Sequence, residues 1–141
     1  MSSSFCTKLK NTVLLLLVTF PLTAQVINFD NFVQQSKQSP DEAFQALLQL
    51  NHNVIIKFFK SGCGPCQQSN TVFNTFSQQY PQIACVEINI STYPNIFRVF
   101  NLKGVPAFVY YQDTVLKGTQ VGGGPQLAQN LQLNAKKYFN I

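Results

Sequence analysis

Asn53-Val54-Ile55-Ile56-Lys57-Phe58-Phe59 leads through Lys60-Ser61-Gly62 into Cys63-Gly64-Pro65-Cys66, and this stretch decides how the chain is read. Val54 to Phe59 is apolar except for Lys57, as expected of a central strand covered on both faces. After the cysteines, Val72, Phe73, Phe76 and Tyr80 recur at helical spacing, and Pro81 ends the helix. A strand feeding a helix here places both sulfurs at the helix N-terminus. Unpaired N–H groups and the helix dipole there favour a thiolate over a thiol. A thiolate held beside a second thiol attacks a disulfide and is then released by its neighbour. The motif therefore points to thiol–disulfide exchange.

Upstream, Val26-Ile27-Asn28-Phe29 reads as a short first strand, and Asp30 to Gln38 reads equally as a short helix or a loop. A helix follows, with Ser39 as cap, Pro40 at the first position and Glu42 completing a capping box. Ala43, Phe44, Leu47 and Leu48 form its apolar face. Downstream, Ile83 to Ile90 is the next strand. Ser91 or Thr92 with Pro94 opens a short helix carrying Ile96, Phe97, Val99 and Phe100. Pro106 to Tyr111 and Thr114 to Lys117 read as a hairpin around Gln112-Asp113. Gly122-Gly123-Gly124 with Pro125 starts the last helix, whose apolar face is Leu127, Leu131, Ala135 and Tyr138. The order β-α-β-α-β-α-β-β-α predicts an α/β fold, with a mixed sheet of parallel core and antiparallel edge hairpin, flanked by helices.

With 141 residues and 45% hydrophobic content, the chain supports one real core and excludes disorder as its main state. The N-terminus reads as an export signal. Lys8 and Lys10 form a positive region, Val13 to Val18 an apolar one, and Pro21-Leu22-Thr23-Ala24 a cleavage region. The apolar run is shorter than the roughly 20 residues that span a bilayer. Residues 1–24 are thus expected to be a signal peptide, with an uncleaved membrane anchor as the alternative, and residues 25–141 one domain. Either places the domain outside the cytoplasm, periplasmic or secreted, where disulfides persist. Setting aside Lys8 and Lys10 lowers the net charge from +5 to +3. The remaining lysines form no basic stripe, so no nucleic-acid partner is expected.

Motif and element order together resemble the thioredoxin family across roughly Val26 to Tyr138. The residues carrying the resemblance are Phe58-Phe59, Cys63-Gly64-Pro65-Cys66, Gly104-Val105-Pro106 and Val121-Gly122. Gly-Val-Pro stands 40 residues beyond the second cysteine, counted from Cys66 to Pro106. The resemblance implies that Cys63 attacks and Cys66 resolves. It also implies that Pro106 follows a cis peptide bond facing the cysteines. Val105 would then present its backbone to an extended substrate, beside Gly62, Gly64 and Pro65. It implies a redox-active Cys63–Cys66 disulfide with no other cofactor, protein disulfides or dithiols as substrates, an unidentified recycling partner, and a monomer.

The chain departs from the family in two places. Tryptophan usually precedes the first cysteine, whereas here Gly62 does, and the chain has no Trp. This is expected to leave Cys63 more exposed. Thioredoxins also bury an aspartate six residues before the first cysteine, where this chain has Lys57. They often pair it with a lysine nineteen residues before the proline, where Glu87 stands here. The two charges are reversed together. A lone ammonium in a central strand costs several kcal/mol, so Lys57 and Glu87 are expected to form a partly buried bridge under the disulfide. Glu87 would then take the proton-accepting role and Lys57 would stabilise thiolate. The alternative is that Lys57 snorkels to the surface and Glu87 is solvated.

Other readings of the cysteines fare worse. A purely structural disulfide would close a very small ring. Zinc needs about four ligands, and Cys85, His52 and Cys6 lack ligand spacing, so no metal is expected. Cys85 reads as a buried thiol and His52 as a solvated loop residue. Two further readings stand beside a general oxidoreductase. One is a dedicated reductase for a single client pathway, such as cytochrome c maturation. The other is a non-catalytic peptide-binding or chaperone module on the same fold.

Overall fold

Residues 24–141 are described by the computed structural model. The expected signal segment, Ala24 excepted, lies outside them together with Cys6. Among the described residues no helix is long and apolar enough to cross a membrane. The elements run β1 (Ile27–Asn28), α1 (Phe29–Ser36), α2 (Pro40–Leu50), β2 (Asn53–Phe59), α3 (Gly64–Gln79), β3 (Ile83–Asn89), α4 (Pro94–Arg98), β4 (Ala107–Gln112), β5 (Val115–Val121) and α5 (Leu127–Phe139).

Local chemistry accounts for most of these boundaries. The ambiguous stretch after β1 is a helix, because Asn28 Oδ1 accepts from the Asn31 N–H at 3.1 Å and Phe29 is buried. Lys37, in the left-handed region, ends it. The Ser39–Glu42 capping box forms as expected, with the Ser39 N–H donating to Glu42 Oε2 at 3.0 Å. The short helix opens differently. Tyr93 stands at its cap without a side-chain capping bond, Asn89 Oδ1 turns the chain by accepting from the Ser91 N–H, and Val99 is exposed beyond its end. In the hairpin, Gln112 stays in β4. The turn is Asp113-Thr114, both at positive φ, which matches the twist of the two strands. β5 runs on to Val121, and a bulge interrupts its pairing with β4 at Tyr110/Tyr111.

The sheet order is β1-β3-β2-β4-β5. β1, β3 and β2 are parallel, while β4 runs antiparallel to both β2 and β5. β2 is therefore central, and its alternating residues feed two cores. Val54, Ile56 and Phe58 face Phe29, Phe44 and Leu47 under α1, α2 and α4. Ile55 faces Phe73, Phe76 and Leu131 under α3 and α5. Lys57 and Phe59 fall on this second side by alternation. Phe139, rather than Tyr138, completes the buried face of α5.

Candidate active site

The turn after β2 ends on Cys63, whose extended backbone makes it the N-cap of α3, with Gly64 and Pro65 as the first two helical residues. Proline fits there because its missing N–H would have had no helical partner. The Cys66 N–H donates to Cys63 Sγ at 3.2 Å, so the first cysteine is capped by the helix that carries the second. The two sulfurs are joined as a disulfide. A helix N–H pointing at Sγ is the environment in which a thiolate at this position is stabilised.

Opposite the disulfide, the Val105–Pro106 bond is cis, and the Val105 carbonyl oxygen lies 3.8 Å from Cys63 Sγ. Pro106 is buried, Val105 half-buried, and the Pro106 carbonyl accepts from the Gly122 N–H at 2.8 Å. The hairpin thus brings its glycine end to the cysteines. A Cβ on Gly123 would stand 3.5 Å from both Pro106 Cγ and the Pro65 carbonyl oxygen. Gly62, at φ +74°, and Gly64 and Pro65 form an exposed rim. Gly62 does not leave Cys63 open, however: the residue is only 8% exposed. Its cover comes from the Val105 side, which does not depend on what stands at position 62.

Comparison with known proteins agrees with this geometry. The thioredoxin family model matches residues 35–133. The chain belongs to the thioredoxin family. It is 28% identical over 82 residues to mitochondrial thioredoxin-3 of Saccharomyces cerevisiae, covering 58% of this chain and 65% of that one. It is 24% identical over 102 residues to thioredoxin H5 of Oryza sativa subsp. japonica, covering 71% and 76%. Against thioredoxin-2 of Pyricularia oryzae the match spans about half of the relative, 52%. The crystal structure of a Nicotiana alata thioredoxin superposes with a TM-score of 0.67 at 22% identity, over 82% of this chain and 93% of that one. The oxidised yeast mitochondrial thioredoxin 3 gives 0.62 at 22% identity, over 82% and 97%. These likenesses establish the thioredoxin fold.

Within that family fold, the reversed charges are arranged differently from the expected bridge. Lys57 and Glu87 are register partners on neighbouring parallel strands, yet no ion pair joins them within 4.0 Å. Lys57 does not snorkel either, being 1% exposed. Its four-carbon arm carries the ammonium past the shorter Glu87 side chain to α3. There it donates to Asn70 Oδ1 and, at 3.3 Å, to the Cys66 carbonyl oxygen. The rings of Phe59 and Phe73 lie beside it, each centroid 5.9 Å away. Burial pushes the Lys57 pKa down, while the Glu87 carboxylate draws it upward from a distance. Glu87 is half-buried and lines two cavities that meet at Asn70. One, about 300 Å³, borders Gly62 and Cys66, and the other, about 380 Å³, borders Lys57 and Ser77.

Two contributors escaped the sequence reading. Ser69 is buried and donates to the Cys66 carbonyl at 2.7 Å. Asn70 holds Lys57. Asn70 stands four residues after Cys66, hence on the same helix face, and that spacing was the available signal. Cys85 is buried as expected, and burial pushes its thiol up to about 12. His52 is exposed, and just before β2 it is bonded to Asp113 in the β4–β5 turn. Among the described residues, no group of three or more His, Cys, Asp or Glu side chains is arranged to hold a metal.

Proposed function

We propose that the protein is a thiol–disulfide oxidoreductase that reduces or exchanges disulfides in extracytoplasmic proteins. The reading is carried by one observation: the Cys63–Cys66 pair sits at the head of α3, with a helix N–H directed at Cys63 Sγ and the Val105 carbonyl across from it. In the dithiol form, the Cys63 thiolate attacks one sulfur of a substrate disulfide. A Cys63–substrate bond forms, the substrate S–S bond breaks, and one substrate thiolate leaves. The Cys66 thiolate then attacks Cys63 Sγ, the Cys63–Cys66 bond forms, and the second substrate thiolate leaves. Each leaving thiolate takes a proton. The substrate gains two electrons and the protein loses two, so no further cofactor is required.

Pro106, Val105, Gly62, Gly64 and Pro65 surround the sulfurs and would form the surface on which an extended peptide lies. Glu87, on the cavity that reaches Cys66, would accept the proton of the resolving thiol through water, while Lys57 favours the thiolates electrostatically. The apolar run behind Lys8 and Lys10 supports export, and a mass for the exported protein beginning at Gln25 would bear this out, whereas retention of residues 1–24 would indicate an anchor. A monomer suffices for this chemistry.

Insulin reduction in the presence of dithiothreitol tests the activity. Turnover by the parent, and none by a Cys63→Ser, Cys66→Ser variant, is expected. A parent without turnover whose double variant still binds unfolded peptides would instead mark a peptide-binding module. Trapping on a Cys66→Ser variant would show whether clients are many or belong to one pathway.

A further inference from the structure

We propose that Asn70 is a positioning residue for disulfide exchange, holding the Lys57 ammonium against the first turn of α3 without cancelling its charge. This deepens the proposed function and rests on it. Four observations carry it. Lys57 is buried, yet among the described residues no carboxylate lies within 4.0 Å of its ammonium. Its side-chain partner is the neutral Asn70 oxygen, and its other acceptor is the carbonyl of Cys66 itself. Glu87, its register partner, lines one cavity with it but makes no ion pair with it. Asn70 is exposed at its helix position, so its identity is not dictated by packing.

A carboxylate at position 70 would satisfy the same ammonium equally well but would neutralise it. An amide satisfies the hydrogen bond and leaves the positive charge in place. Delivered beside the Cys66 carbonyl, that charge adds to the field of the helix N-terminus and favours the reduced form, in which thiolate is present. The titratable groups that face Lys57 are Cys66 on α3 and Glu87 on β3. Burial lowers the affinity of Lys57 for its proton, and the distant carboxylate opposes this.

The test equilibrates the parent, Asn70→Asp, Asn70→Ala and Asn70→Gln with mixtures of reduced and oxidised glutathione. In this reaction two glutathione thiols reduce the protein disulfide and become one glutathione disulfide. Asn70→Asp is expected to shift the equilibrium constant about tenfold toward the protein disulfide, a potential about 30 mV more negative. It should also raise the pH at which Cys63 ionises, read from thiolate absorbance of the reduced protein. Asn70→Ala should shift both in the same direction by less, and Asn70→Gln should restore parent values. If the Asp and Ala variants match the parent in both readouts, or change melting temperature alone, the assignment is overturned. Since the exposed site tolerates Ala and Gln, that pair decides even if Asn70→Asp folds poorly. A parent that neither equilibrates with glutathione nor reduces insulin would instead overturn the proposed function itself.

Discussion

The two sides of β2 differ in kind, though they alternate along seven residues. Val54, Ile56 and Phe58 enter a core that is apolar throughout, where the Phe58 ring packs against those of Phe97 and Phe100 at 5.1 and 5.4 Å. Ile55, Lys57 and Phe59 begin on an apolar core and end beneath the disulfide, next to two cavities lined with amides and a carboxylate. The first side of β2 carries only apolar residues. The second carries a buried ammonium that reaches the Cys66 carbonyl. Local departure from good packing therefore marks where the chemistry lies, as expected of functional sites.

Several measurements would break or sharpen this contrast. The largest effect belongs to the sulfur end: Cys63→Ser should lower insulin reduction by roughly a thousandfold or more, since the attacking group is gone. On the sealed side, Phe58→Ala should cost about 3–5 kcal/mol in urea unfolding, from lost transfer energy and the cavity left behind. One position earlier the sign reverses. Lys57→Met should stabilise the fold by about 1–4 kcal/mol, because it removes an ammonium from the interior, while moving the ionisation of Cys63 to higher pH. A loss of stability equal to that of Phe58→Ala would erase the distinction between the two sides.

The same lysine carries a signature in pH. Its folded pKa lies below the ordinary value of about 10.4. Between the two values the unfolded chain binds the extra proton, so stability should rise with pH across that alkaline window. Urea midpoints of the parent should climb there relative to Lys57→Met, and parallel curves would show that the ammonium is not desolvated. The smallest effect is at Cys85. With its thiol pushed up to about 12, it should resist iodoacetamide in the reduced native protein at roughly pH 8 while Cys63 is labelled, and react only in denaturant.

The fold was legible where one local rule governs one element. Ser39 and Glu42 announced α2, the apolar run of β2 announced a central strand, and the paired cysteines announced the head of α3. Legibility failed where geometry across elements decides. In the stretch Asp30 to Gln38, the part up to Ser36 is a helix through an asparagine cap that propensity alone does not favour over a loop. The hairpin turn sits at Asp113-Thr114 because β4 extends by one residue to pair Gln112 with Asn53. The reversed charges were visible as Lys57 and Glu87 on neighbouring parallel strands. Their separation was not, because chain position says nothing about how far a lysine arm reaches. Nor does it show that an amide on the next helix is waiting for it.

One consequence lies in the hairpin. Pro106 precedes β4 and Gly122 follows β5, so the gap between the glycine segment and the sulfurs is measured out from a turn at the opposite end of the molecule. The bulge at Tyr110/Tyr111 shifts the register of the two strands on the way. Removing a single residue from β5 would turn its side chains over and draw Gly123 away from Pro65, detuning the mouth of the site by an edit made nowhere near it.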